Sequence, residues 1–127
     1  MTASPTPRRV LIVDDNEDAA NSLAMILKLI GHETVSVYSA DEALSQAATF
    51  RPHVVLLDIG LPGMDGYEVA QQLREMPGLR DIRLIAVTGY GQSEDRLRAR
   101  EAGFDAHLVK PVEFAVLERT LAGIHGL

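Results

Sequence analysis

Short, nearly unbroken apolar runs recur along the chain at Val10–Val13, Val54–Leu57, Leu84–Val87 and Ala106–Val109. Runs of this kind are typical of strands that are covered on both faces, as in a parallel sheet. A further segment, Thr34–Tyr38, instead alternates polar and apolar residues, which is typical of a strand at the edge of a sheet. The pattern therefore predicts five strands, with the second strand at an edge.

Segments with helical spacing separate the strands. The first has apolar residues at the i, i+3, i+4 and i+7 positions and is followed by Gly31, a plausible stop. Ser39–Glu42 has the form of a capping box and predicts the start of a second helix. Three more helices are marked by Asp65 and Glu68 with an end near Pro77–Gly78, by Ser93 with an end at Gly103, and by the apolar stripe Phe114, Leu117, Leu121 and Ile124.

The alternation of five strands with five helices predicts an α/β fold with a doubly wound parallel sheet and right-handed crossovers. An edge position for the second strand favours the strand order 2-1-3-4-5. In that order strand 2 lies on one side of strand 1 and strand 3 on the other, so the order of connections reverses between strands 1 and 3. Ligands of open α/β sheets bind outside the carboxyl ends of the strands at such a point, so the site is expected there.

The composition fits one soluble domain that needs no covalent cross-links. The chain has 127 residues, 46% of them hydrophobic and 24% charged, and it has no cysteine. The lack of cysteine excludes disulfides and thiolate metal sites and suits a reducing cytoplasm. We expect residues 1–7 to form a short flexible lead and residues 8–127 to form the domain.

The charge balance argues against two classes of partner. The chain has 12 Lys and Arg against 18 Asp and Glu, a formal net charge of −6. A negative domain is a poor candidate for binding the nucleic-acid backbone, which normally requires a basic face. No apolar run approaches the roughly 20 residues that cross a bilayer, and the first residues contain no signal-peptide segment. We therefore expect no direct nucleic-acid contact, no membrane insertion and a cytoplasmic protein.

Acidic residues end two of the predicted strands at the expected site. Asp14 and Asp15 end the first strand, and Asp58 ends the third. Two carboxylates 4 Å apart repel by about 4 kcal/mol at a surface-like dielectric, so protons or a cation must accompany them. Because the ligands are oxygens with no His or Cys beside them, a hard ion such as Mg²⁺ or Mn²⁺ is favoured.

Thr88 and Lys110, at the ends of the fourth and fifth strands, add a hydroxyl donor and a positive charge. With a metal they can stabilise a transferring phosphoryl group, which leaves one carboxylate as the nucleophile. Taken singly, each residue has a structural explanation, since Asp15 or Asn16 can cap a helix. The joint occurrence of these groups at one edge of the sheet favours function.

Four segments that carry these residues resemble the receiver domains of response regulators, including the single-domain chemotaxis type: Val10–Asn16, Leu56–Gly66, Ala86–Gly89 and Val109–Pro111. The resemblance runs from about Arg8 to the end of the chain. It implies a flavodoxin-like fold and a phosphoacceptor domain of a two-component phosphorelay.

The resemblance also implies a role for each residue. Asp58 is the phosphoacceptor, and it holds the metal together with Asp14, Asp15 and the main-chain carbonyl of Gly60. Thr88 and Lys110 contact the phosphoryl oxygens. The donor is a phosphohistidine of a histidine kinase or phosphotransfer protein, and the phosphorylated domain switches an output protein that the sequence does not identify. The chain then catalyses only its own phosphorylation and dephosphorylation and is not otherwise an enzyme.

Three positions concern switching and phosphoryl lifetime. Receivers often place Tyr or Phe three residues before the lysine, where the ring turns inward as Thr88 engages the phosphoryl group, but this chain has His107. Gly60 lies two residues after Asp58, and Tyr90 lies two residues after Thr88. In the family these two positions influence how fast the aspartyl phosphate hydrolyses. The segments around Tyr90 and His107 are most similar to receivers attached to hybrid histidine kinases.

Three alternatives come from other functional classes. A Mg²⁺-dependent phosphohydrolase would use Asp58 as nucleophile, but such enzymes usually carry a second Asp two residues on, where Gly60 stands. A degenerate receiver would serve only as a binding module, yet every key residue is present. A transcription factor fragment would need a DNA-binding domain, and only about 17 residues follow Lys110.

Overall fold

The computed structural model describes residues 8–59, 66–89 and 100–123. We number the strands and helices of these residues in chain order, and their bounds are as follows: β1 Arg9–Val13, α1 Glu17–Leu29, β2 Glu33–Val37, α2 Ala40–Phe50, β3 Val54–Asp58, α3 Gly66–Glu75, β4 Arg83–Thr88, β5 Ala106–Val109 and α4 Phe114–Gly123. The helix predicted from Ser93 to Gly103 falls mostly outside these ranges, although Arg100 and Glu101 are helical. Ile124 of the last predicted stripe also lies outside them.

The five strands form one parallel sheet in the order β2-β1-β3-β4-β5. Strand β1 lies between β2 and β3, because Val10 pairs with Thr34 of β2 on one side and with Val54 of β3 on the other. The order of connections therefore reverses at β1. The predicted fold class, strand order and edge position of the second strand are confirmed. The carboxyl ends of β1 and β3 are therefore neighbours, as the predicted site requires.

Apolar residues on the two faces of the sheet form two separate cores. In β1, Leu11 and Val13 pack on the face covered by α2 and α3, whereas Val10 and Ile12 pack on the face covered by α1 and α4. The same alternation holds in β3 and β4, whose residues from 54 to 57 and from 84 to 87 are all buried. Burial on both faces explains why these strands have continuous apolar runs.

The helix boundaries follow the capping chemistry of the sequence. The Asn16 side chain accepts a hydrogen bond from the Ala19 N–H at 3.1 Å and begins α1, and Gly31, with φ of +100°, follows its end. Ser39 Oγ accepts from the Glu42 N–H at 3.2 Å, as the capping box predicts. No described helix is long and apolar enough to span a bilayer.

Candidate functional site

Four polar side chains meet at the carboxyl edge of the sheet. Asp14 follows β1, Asp58 ends β3, Thr88 ends β4 and Lys110 follows β5. Asp14, Asp58 and Thr88 are only 2%, 7% and 5% exposed, which is unusual for polar residues at strand ends. The structure thus brings together the residues that the sequence placed at this edge.

Backbone hydrogen bonds fix the orientation of Asp14. Its own N–H donates to the Val37 carbonyl at 3.1 Å, which extends the pairing of β1 with β2 by one residue. The Asn16 N–H donates to Asp14 Oδ1 at 3.0 Å. The other carboxylate oxygen, Oδ2, is then directed to the site. This orienting role of the Asn16 backbone was missed in the sequence, where Asn16 was considered only as a helix cap.

Lys110 bridges the two buried carboxylates. Its Nζ lies 2.8 Å from Asp14 Oδ2 and 2.9 Å from Asp58 Oδ2. The Lys110 N–H donates to the Thr88 carbonyl at 2.8 Å, so its backbone is held by the pairing of β5 with β4. Burial alone would lower the pKa of Lys110, but hydrogen bonds to Asp14 and Asp58 and their negative charges outweigh it and raise the pKa. The ammonium therefore stays protonated at neutral pH.

The carboxylates fit a hard divalent cation. One oxygen each from Asp14, Asp15 and Asp58 lies within 4.8 Å of the others, the sole such cluster of three acidic, His or Cys side chains in the described part of the chain. Asp15 is exposed, which leaves the cluster open to solvent on one side. At their formal charges, three carboxylates and one ammonium sum to −2. An oxygen-only donor set with that excess of charge suits Mg²⁺ or Mn²⁺.

Thr88 and the predicted switch residue His107 lie on the same face of the sheet. Asp58 pairs with Val87 in the β3–β4 register, so Thr88 is one residue further along the neighbouring strand. His107 pairs with Ala86 and Val109 pairs with Thr88. Because side chains alternate along a strand, half-buried His107 shares the face of Ala86 and Thr88. Gly60 and Tyr90 lie outside the described residues.

The fold and site together define a domain that holds a cluster of aspartates and a lysine at the switch point of a parallel sheet. The family model of the response regulator receiver domain matches residues 10–122. The chain therefore belongs to the family of response regulator receiver domains, which act as phosphoacceptors in two-component signalling, and the resemblance inferred from the four segments is confirmed.

Named relatives agree with this assignment. The chain is 37% identical over 106 residues to the polar-differentiation response regulator DivK of Brucella anthropi, a match that covers 84% of this chain and 86% of that protein. It is 38% identical over 117 residues to the transcriptional regulatory protein PrrA of Mycobacterium bovis, covering 92% of this chain and 49% of PrrA. The chain thus spans most of the first relative and about half of the second.

Solved structures agree as well. The chemotaxis protein CheY4 of Vibrio cholerae superposes with a TM-score of 0.86 at 26% identity, and the match covers 92% of this chain and 98% of that chain.

Proposed function

We propose that Asp58 receives a phosphoryl group from a phosphohistidine donor, with Mg²⁺ or Mn²⁺ held by Asp14, Asp15 and Asp58. The observation that carries the proposal is the bridge from Lys110 Nζ to two buried carboxylates, 2.8 Å from Asp14 and 2.9 Å from Asp58. A buried, oriented carboxylate beside a fixed cation is suited to attack phosphorus.

In the proposed reaction an Asp58 carboxylate oxygen attacks phosphorus and forms an acyl phosphate. The bond from phosphorus to the donor histidine nitrogen breaks, and that nitrogen keeps the electron pair. The metal, when bound, supplies positive charge to the transferring group. Lys110 supplies a second positive charge, and the Thr88 hydroxyl donates a hydrogen bond to a phosphoryl oxygen. The raised pKa of Lys110 favours this role, because the amine must stay protonated to pair with the phosphoryl oxygens.

The remaining assignments extend this proposal along the chain. The main-chain carbonyl of Gly60 completes the metal ligands, and Gly60 and Tyr90 modulate how fast the aspartyl phosphate hydrolyses. His107 takes the place of the usual aromatic switch residue and responds to the engagement of Thr88. The domain spans residues 8–127 after a lead of residues 1–7.

The proposed partners are proteins. A histidine kinase or phosphotransfer protein supplies the phosphoryl group in the cytoplasm, and an output protein senses the result. An apolar cavity of about 400 Å³ opens beside the site between α1 and the segment after Lys110, lined by residues that include Leu23, Ile26 and Val112. An apolar surface beside Asp14 and Lys110 supports contact with a protein rather than with nucleic acid, and the net charge of −6 supports the same choice.

Intact mass spectrometry after incubation with acetyl phosphate and Mg²⁺ tests the proposal. We expect one phosphoryl group on the wild-type protein, and none on Asp58→Asn or after removal of the metal with a chelator. A wild-type protein that stays unlabelled would support the degenerate binding module. Repeated turnover of excess nitrophenyl phosphate, with Asp58 required, would support the phosphohydrolase instead.

A further inference from the structure

The first residue of α3 lies in direct contact with the residue that follows Asp58. A Cβ atom built on Gly66 would lie 2.6 Å from Ile59 Cα, 3.1 Å from Ile59 Cβ and 3.2 Å from Ile59 Cγ2. The shortest of these distances is to a backbone atom, which cannot move away by rotating a side chain. Gly66 is therefore required by space, since every other residue would push Ile59 back.

Ile59 is also held by the neighbouring strand. Its N–H donates to the Val87 carbonyl at 3.1 Å, one step beyond the pairing of Asp58 with Val87. The peptide after Asp58 thus contacts both β4 and the first turn of α3. A backbone held by both contacts fixes the direction in which the Asp58 carboxylate leaves the strand.

We propose that Gly66 is a positioning residue for Asp58, which acts by letting α3 approach Ile59. The inference rests on the proposed function, because it concerns the geometry of the same carboxylate. An alanine at position 66 would have to bring the 2.6 Å separation from Ile59 Cα to the 3.4 Å of an ordinary contact. If Asp58 moved with Ile59 by this amount, the 2.9 Å contact from Lys110 Nζ to Asp58 Oδ2 would exceed the usual hydrogen-bond distance. A misplacement of about 1 Å can slow a reaction by about 100-fold.

The direct test compares Gly66→Ala with Gly123→Ala. Gly123 lies in α4, and a Cβ atom added to it would have nothing within 4 Å, so its substitution places the same methyl group in open space. We expect Gly66→Ala to label with acetyl phosphate about 10- to 100-fold more slowly even at saturating Mg²⁺. Its Mg²⁺ affinity, titrated by NMR without a phosphodonor, should fall several-fold. Gly123→Ala should match the wild type in both measurements.

A folded Gly66→Ala with wild-type Mg²⁺ affinity and labelling rate would overturn the inference. Mg²⁺ affinity keeps this outcome separate from failure of the proposed function, because it is measured without any phosphoryl transfer. If the wild type binds Mg²⁺ but is never labelled, the proposed function fails while the affinities of the two glycine variants still decide the role of Gly66.

A second pair of variants decides the matter if Gly66→Ala does not fold. Ile59→Val keeps both side-chain atoms that contact position 66, whereas Ile59→Ala removes Cγ2 and loosens the packing on α3. We expect weaker Mg²⁺ binding in Ile59→Ala and near wild-type binding in Ile59→Val, both measured well below their melting temperatures. Equal Mg²⁺ affinities in the two variants would contradict the positioning role.

Discussion

The two edges of the sheet are built from the same strands but use their polar groups in opposite ways. At the carboxyl edge, buried Asp14 and Asp58 share one ammonium, that of Lys110. At the amino edge, His32 Nδ1 accepts from the Arg8 N–H at 3.2 Å, and His53 Nδ1 accepts from the Arg9 N–H at 2.9 Å. These two rings extend the pairing of β1 with its neighbours by one hydrogen bond on each side.

The difference lies in how charge is compensated. The carboxyl edge concentrates negative charge that needs protons or a cation from outside to balance it, which is expensive for folding and typical of functional sites. The amino edge keeps its rings neutral, since burial first and the nearby charge of Arg8 second lower the pKa of His32. Burial, followed by Arg9 and Arg8, lowers the pKa of His53 in the same way. The two edges thus differ in charge: the carboxyl edge is acidic, and the amino edge uses neutral rings as hydrogen-bond acceptors.

Removal of Lys110 should disturb the carboxyl edge most. Lys110→Ala leaves two buried carboxylates without their shared cation, so we expect the metal-free free energy of unfolding to fall by about 1–3 kcal/mol. Mg²⁺ should restore much of this loss, because it supplies the missing positive charge. Phosphorylation-induced NMR shifts in β5 should shrink. Chemical denaturation with and without Mg²⁺ measures the first effect, and equal losses in both conditions would argue against a shared charge site.

Substitution of Asp15 should separate binding from stability at the same edge. Asp15→Asn removes one ligand from the cluster, so we expect about tenfold weaker Mg²⁺ binding and slower phosphorylation. Without metal, the variant should melt at a higher temperature than the wild type, because one repelling charge is gone. Calorimetry with and without Mg²⁺ gives both quantities. Unchanged Mg²⁺ affinity in both Asp14→Asn and Asp15→Asn would remove these residues from the metal site.

At the amino edge we expect a smaller change in the free energy of unfolding, and this change depends on pH. The folded pKa values of His32 and His53 lie below the ordinary 6.5, so the unfolded chain binds more protons in that range. The contribution of the two rings is complete above about pH 6.5 and is lost as the pH falls through that value toward the folded pKa values. Each ring contributes to this loss according to how far its folded pKa lies below the ordinary value.

Denaturation of wild type and His53→Gln between pH 7 and pH 5 measures the effect. The variant should be less stable at pH 7 and should lose less stability on acidification, while phosphorylation at pH 7 stays close to wild type. A pH dependence identical in both proteins would mean that His53 does not act as a neutral acceptor.

Much of the fold was predictable because its determinants are local or periodic. Continuous apolar runs indicate strands buried on both faces, and the alternating segment correctly identified β2 as an edge. Asp14, Asp58, Thr88 and Lys110 could be placed together because parallel strands carry their carboxyl ends to one edge. The residues that the strand order brings together can therefore be predicted from the sequence.

Contacts between segments distant in sequence were not predictable. Nothing near His32 and His53 in sequence shows that they accept hydrogen bonds from Arg8 and Arg9. The sharing of Lys110 between Asp14 and Asp58, and the approach of Gly66 to Ile59, depend on distances that only the folded chain has. The similarity to receivers of hybrid histidine kinases stays a prediction.

The location of the phosphoryl group tests the division between the two edges most directly. Wild-type protein is labelled with acetyl phosphate and Mg²⁺, reduced with borohydride to convert an aspartyl phosphate into a stable alcohol, and mapped by peptide mass spectrometry. We expect the modified residue to be Asp58 alone. Modification of Asp14 or Asp15 in its place, or of a histidine at the amino edge, would contradict the account.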